Sequence, residues 1–485
     1  MSNPTLQSKL KLFDVTNLVV GAIIGADIYV ASTFGAKYLG PLSLIAWIVA
    51  GVIAVVIALC FAQCAALLPK VGGPYAYVRA AWGPFAGFMV GWSLWLAEWI
   101  SLAVFPLAFT RYLLFFLPTL DWMQQSLVKG IFVAFLVVTN IVGVRAAGKT
   151  NDVLTLVKLA PLLFFSGAGI IYLLGNPAEA AANLQPFAPY GVANFGAAIV
   201  LIFWAYAGFE ISTIPADEIQ DPGTTIPKAI GLGIAIITIF YLVTNLVLFG
   251  VRSWSYLATD IAPLAAATTY ILRAQPTVAV LGGLLVGVGA LISVAGSNES
   301  GMIGTSRLGY ALALDGLFPR VFARVHPKYK TPYVAILLQA VTALIASLVG
   351  NLSVLIATSV FFMALTYLAT SASIFSLRKK VTNPRFQLKG GIVLPILGIL
   401  FSLYLITQCS LDQLTVGSFL LAVGVLIYVK YSPRKEMTDL KNLFLSKDSV
   451  LMRAYRQENR FLAHLLRHVK RRYRRVTGKK QTWTT

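Results

Sequence analysis

The chain reads as an all-α membrane protein of twelve transmembrane helices, a five-plus-five inverted repeat with helices 1 and 6 broken. Three observations predict this. Of its 485 residues, 58% are hydrophobic and 12% charged, against about 25% charged in soluble domains, and the mean hydropathy is +0.78. Apolar runs of about 20 residues, enough to cross a ~30 Å hydrocarbon core, recur from end to end. Two of these runs, the first and the sixth, carry glycine beside a carboxylate at mid-span.

The first span, 13–37, is interrupted by Gly21-Ala22-Ile23-Ile24-Gly25-Ala26-Asp27-Ile28-Tyr29. Gly weakens a helix by about 1 kcal/mol, and an ionisable group at membrane depth costs at least ~2.5 kcal/mol. Non-helical backbone survives there only beside protein or a water-filled cavity. Gly21 and Gly25, four apart, also fit a helix-packing stripe. Spans 41–68, 83–117, 127–146 and 153–174 follow. Cys60, Cys64 and Cys409 sit in apolar runs, as small packed residues rather than a disulfide or metal framework. The sixth span, 193–216, weakens at Phe203-Trp204-Ala205-Tyr206-Ala207-Gly208-Phe209-Glu210. Spans 229–251, 276–306, 333–350, 352–377, 391–409 and 413–431 complete the set. Two broken helices five spans apart fit an inverted repeat, because an odd number of spans per copy reverses the second.

Orientation follows from Lys and Arg. With the N-terminus in the cytoplasm, most of them, from Lys9 and Lys11 to Arg385 and Lys389, fall inside, leaving Lys37, Arg111, Lys129, Arg252 and Arg273 outside. Both termini are therefore expected in the cytoplasm of a multi-pass cell-membrane protein, and no run has the makings of a cleaved signal peptide. Residues 1–431 form the expected helical domain and 432–485 a basic tail. From Tyr431 onward there are fifteen Lys or Arg against four acids, part of a net charge of +21. Leu451 to Arg475 mixes apolar and basic residues as an amphipathic helix resting on anionic lipid would. Such a tail meets lipid before nucleic acid.

The breaks carry the chemistry. Half-helices meeting at mid-span aim opposite dipole ends into the cavity, the arrangement by which secondary transporters hold a small polar solute. N–H groups near Gly25, Ala26 and Asp27 suit a carboxylate. Carbonyls near Ala22, Ile23, Phe203 and Ala205 suit an ammonium. Tyr29, Trp204, Tyr206 and Phe209 suit a chamber that covers the solute or stacks on a cation.

The residues resemble the amino acid–polyamine–organocation (APC) superfamily of permeases from about Phe13 to Ser432. Gly21 to Tyr29 is similar to its first-helix motif. Gly72-Gly73-Pro74-Tyr75-Ala76-Tyr77 with Trp82-Gly83 resembles its loop before the third helix, and Phe203 to Glu210 its sixth-helix break. Asp217-Glu218-Ile219-Gln220-Asp221-Pro222 with Ile226-Pro227-Lys228-Ala229-Ile230 resembles its acidic–proline loop. Ser306-Arg307 and Ala313 to Pro319 resemble its eighth-helix exit. The resemblance implies a LeuT-like bundle transporting amino acids or amines, and a substrate set of Ile23, Gly25, Ala26, Asp27, Phe203, Trp204, Ala205, Tyr206, Gly208 and Asn298.

Five ionisable groups stand out. Asp27 departs from the family's usual Gly, and three readings follow: counter-ion to a basic substrate, carrier of the coupling proton, or cap of the second half-helix. Lys158 resembles a fifth-helix Lys of proton-coupled members, whose ammonium replaces a sodium ion between helices one and eight, here near Ser293 and Ser297. Its other reading is a lysine snorkelling to the interface. Glu98 resembles a third-helix Glu of cationic amino-acid permeases, or forms a structural hydrogen bond. Glu210 caps the second half of helix six or serves the site. Glu299, ~12 Å along its helix from Arg307, also lies within the membrane.

ATP-driven pumping is not expected, and no Ser–His–Asp set suggests an enzyme. His464 and His468 share a helix face but read as solvated, so neither metal nor cofactor is expected. The expected partners are an amino acid or amine, protons and anionic lipids, in a monomer or homodimer. The loop between spans three and four has no Cys for a disulfide-linked subunit. The sequence thus reads as a proton-coupled permease, with an exchanger and a non-transporting nutrient sensor as alternatives.

Overall fold

The computed structural model describes residues 10–70, 72–143, 148–213, 219–380 and 391–432. Among them every regular element is helical, apart from one isolated parallel bridge between Leu10 and Ile219. The helices are α1 (Leu12–Ile23), α2 (Asp27–Leu39), α3 (Ser43–Leu67), α4 (Gly73–Trp82), α5 (Pro84–Leu113), α6 (Trp122–Val142), α7 (Gly148–Gly175) and α8 (Pro177–Asn183). They continue with α9 (Phe195–Phe203), α10 (Pro222–Val251), α11 (Trp254–Leu257), α12 (Pro263–Ile271), α13 (Pro276–Leu314), α14 (Tyr333–Val349), α15 (Leu352–Lys380), α16 (Val393–Thr407) and α17 (Leu411–Tyr431).

Five of these helices, α5, α8, α10, α12 and α13, open on proline. Its missing N–H costs nothing at that position and its fixed φ suits the first turn. That is why α10 begins at Pro222, ahead of the apolar run expected from 229. Likewise α6 begins at Trp122 rather than 127. Asp121 accepts the Gln124 N–H at 2.8 Å while Gln124 Oε1 accepts the Asp121 N–H at 3.0 Å, a reciprocal cap. At its far end α13 outruns the expected 306 and reaches Leu314. The Gly72–Tyr77 segment, expected as a loop, folds as α4. There Tyr75 OH donates to Asp315 Oδ2 at 2.6 Å and Arg79 Nη1 lies 3.0 Å from the same oxygen.

Eight helical stretches among the described residues are long and apolar enough to cross a membrane, and four shorter apolar helices accompany them. The most apolar window of α5 is 78% buried and that of α17 only 17%. An apolar helix has no reason to face water, so α5 belongs to the interior of the bundle and α17 to its lipid-facing rim. Around α5 pack α13, α14 and α15, and α10 packs on α1 and α3.

The described residues up to Tyr428 form one compact unit. Residues 433–485, with the expected tail helix, His464 and His468, lie outside the described residues, as do Asp217 and Glu218.

Candidate functional site

The first break is real and short. α1 ends at Ile23, Ile24 turns extended (φ −75°, ψ 106°), and α2 starts at Asp27. This releases carbonyls that α13 and α10 take up. Ser293 Oγ donates to Gly25 O at 3.4 Å, Ser297 Oγ to Ile24 O at 3.4 Å, and Tyr241 OH to Ile23 O at 3.4 Å. All three bonds are long, hence weak. Ser293 and Ser297 are four apart and so share one helix face, which presses on the break. A Cβ at Gly25 would stand 2.5 Å from Ser297 Oγ, so only glycine permits the approach.

The second break lies opposite. α9 gives way to a 3₁₀ turn at Trp204–Tyr206, Ala207 is extended, and Gly208 has φ +119°, followed by a 3₁₀ segment at Phe209–Thr213. That φ suits glycine alone. A Cβ there would also lie 2.8 Å from Ala22 O, so the two broken segments rest on each other. Glu210, fully buried, fixes the second break: Oε2 accepts the Gly208 N–H at 3.0 Å and Oε1 accepts Tyr367 OH at 3.1 Å.

A cavity of about 90 Å³ separates the breaks. A water molecule needs ~10–15 Å³ by this measure, so there is room for several waters or a small solute. Gly21, Ala22 and Asp27 line it from the first break, and Trp204, Ala207 and Gly208 from the second. Glu98, Ser101 and Phe105 of α5, Ser297, Ser300 and Gly301 of α13, and Met363 of α15 close the sides. Trp204 is held by its Nε1, which donates to Ser101 Oγ at 3.2 Å.

Asp27 is 6% exposed and is the first helical residue of α2. The cap position is Ala26, which makes no side-chain cap bond. The Asp27 side chain therefore stands at the positive end of the helix. No other residue hydrogen-bonds the carboxylate of Asp27 or of Glu98 among the described residues.

Lys158 is 6% exposed and sits behind the break rather than in the cavity wall; its Nζ donates to Ser297 Oγ at 3.5 Å. Ser297 therefore touches the ammonium, the Ile24 carbonyl and the cavity at once. Gly296 leaves space for the lysine stem, since a Cβ there would lie 2.6 Å from Lys158 Cε.

Of the expected residues, Asp27, Trp204, Gly208 and Glu98 meet at the cavity. Ile23, Gly25 and Ala26 form the break behind Asp27, and Phe203 and Ala205 are buried beside the lining rather than in it. Tyr206 faces α3, its OH donating to Trp47 O at 3.1 Å. Tyr29 packs edge-on against Tyr112, and Phe209 stacks on Tyr367. Asn298 is fully buried outside the lining, with Oδ1 unpartnered. Glu299 is half-buried and lies outside the lining. Sequence reasoning missed Ser101, Phe105, Ser300 and Met363. One signal existed: Glu98, Ser101 and Phe105 recur at i, i+3 and i+7, one face of a helix.

The amino acid permease family model matches residues 10–429. A branched-chain amino acid permease of Bacillus subtilis (strain 168) is 29% identical over 88% of this chain and 94% of its own length. A methylthioribose transporter of the same organism is 29% identical over 89% and 95%. A large neutral amino acids transporter small subunit 2 of Mus musculus is 30% identical over 93% and 87%. These are transporters, not enzymes, and with the match over nearly its whole length this chain belongs to the amino acid permease family of the APC superfamily.

Proposed function

We propose that the protein is a secondary active transporter of amino acids or related amines, proton-coupled and working by alternating access around the two breaks. The observation that carries this reading is the cavity itself: two unwound segments resting on each other, with the unpartnered carboxylates of Asp27 and Glu98 lining the space beside them. The topology that goes with it has twelve crossings, α1 with α2 forming the first and α9 with the segment to Thr213 the sixth, as a five-plus-five inverted repeat. Both termini are cytoplasmic in the cell membrane, and the tail from residue 432 rests on anionic lipid.

In this reading Asp27, Trp204, Gly208 and Glu98 face the substrate, and Ile23, Gly25, Ala26, Phe203, Ala205, Tyr206 and Asn298 shape the segments that do so. Lys158 is the coupling group. Charged, it holds the first break to α13 through Ser297; neutral, it loosens that hold. A proton then drives transport only because the inward- and outward-facing states bind it with different affinity.

Uptake into proteoliposomes under an imposed proton gradient tests this. Accumulation should need the gradient, and Lys158→Ala should bind solute yet fail to accumulate it. Full gradient-driven uptake by that variant would remove Lys158 from coupling, and binding without uptake by the unaltered protein would make it a sensor. The exchanger reading has one observation in its favour: Lys158 already bonds Ser297, as a permanent strut would. Solute-for-solute exchange that ignores the proton gradient would identify it.

A further inference from the structure

Two carboxylates, Asp27 and Glu98, line the cavity, and no lysine, arginine or histidine does. Asp27 is more than nine-tenths buried, and neither carboxylate receives a hydrogen bond from another residue among those described. A buried charge needs a partner. Lys158 stands outside the lining and spends its Nζ on Ser297. Glu98 shares the wall with Asp27 and has no basic residue beside it there. One lysine offsets at most one of the two carboxylates, so the wall is left short of positive charge.

An α-amino acid does not supply it cleanly. Its ammonium would suit the wall, but its own carboxylate needs donors. The natural donors are the free N–H groups opening α2. Here Asp27 stands at that opening, so a second carboxylate would meet like charge at short range. The rest of the wall suits a cation. Trp204 and Phe105, with ring centroids 6.0 Å apart, both line it and offer π faces to an alkylammonium. The hydroxyls of Ser101, Ser297 and Ser300 can accept its N–H groups.

We propose that this cavity takes an organic amine that bears no carboxylate, in preference to a zwitterionic amino acid. The inference rests on reading the cavity as the substrate site. Asp27 is then the counter-ion of the substrate amine, and Glu98 receives a second amine where the solute has one.

Matched pairs that differ by a single carboxylate test it: leucine against 3-methylbutylamine, lysine against cadaverine, arginine against agmatine. Binding to the full-length protein in detergent at neutral pH would be titrated by thermal shift. The amine of each pair should bind at least tenfold more tightly than its amino acid. Asp27→Asn should weaken the amines tenfold or more, and Asp27→Glu should retain the preference. Glu98→Gln should weaken cadaverine and agmatine more than 3-methylbutylamine. Should Asp27→Asn fail to fold, the comparison in the unaltered protein still decides. Equal or tighter binding of the amino acids overturns the proposal, and so does binding of no member of any pair. Tight amine binding without uptake into proteoliposomes would instead overturn the transport reading and leave the amine preference standing.

Discussion

Gly25 and Ser297 face each other so closely that a methyl group on Gly25 would lie 2.5 Å from the serine Oγ. That hydroxyl also meets Lys158 Nζ at 3.5 Å and Ile24 O at 3.4 Å. Gly25→Ala is therefore expected to push α13 away from the break, lowering the thermal midpoint by the equivalent of about 1–3 kcal/mol and abolishing uptake. Ser297→Gly in the same chain removes the obstructing atoms and should restore most of the midpoint. If the double variant is no more stable than Gly25→Ala alone, the contact is not the source of the loss.

Gly208 offers a contrast. Its φ of +119° and the 2.8 Å between its would-be Cβ and Ala22 O both involve backbone. Gly208→Ala should cost on the order of 1–3 kcal/mol, and no truncation of a neighbouring side chain can relieve it. Rescue by such a truncation, followed by the thermal midpoint, would show that the two broken segments do not rest on each other.

The two breaks were legible because they violate a simple rule: glycine and a carboxylate have no place in the middle of a lipid-crossing helix. The partners of the broken backbone were not legible. The resemblance places Ser293 and Ser297 beside the Lys158 ammonium, but nothing in their spacing names Gly25 and Ile24 as the carbonyls they reach. Tyr241 and Tyr367 were invisible for the same reason, being tyrosines in otherwise apolar spans whose bonds run to segments far away in sequence. Asn298 and Ser297 are neighbours on α13, and adjacent residues point about 100° apart on a helix. A single turn of α13 therefore decides that the serine, not the asparagine, reaches the cavity. Helix ends were misjudged where capping, rather than hydropathy, sets them, as at Asp121 and Pro222.

Tyr367 tests the second break. Its OH reaches the fully buried Glu210 carboxylate at 3.1 Å, while its ring stacks on Phe209 with centroids 5.5 Å apart. Tyr367→Phe keeps the ring and removes one donor from a buried acid, so a loss of about 1.5–3 kcal/mol is expected. Glu210→Gln in the Tyr367→Phe background should add less than it does alone, because the bond is already gone. Strict additivity in thermal unfolding would mean that the two residues act independently.

Glu179 of α8 supplies a pH test away from the spans. Tyr172 OH donates to Oε2 at 2.6 Å, Tyr270 OH donates to Oε1 at 2.6 Å, and Arg273 Nη2 lies 3.7 Å from Oε2. These groups, the Tyr172 phenol foremost, hold the carboxyl below its ordinary range. A carboxyl depressed in the folded state gives its full stabilisation above its unfolded value of ~4.3. That stabilisation drains away as pH falls through the lower folded value. The unaltered protein should accordingly be more stable than Glu179→Gln at neutral pH, with the difference in thermal midpoint shrinking steadily below about pH 5. Because the carboxylate is partly exposed, the difference should be small and should narrow further in high salt. A gap that stays constant across that acid range would mean that folding does not hold the Glu179 carboxyl below its unfolded value.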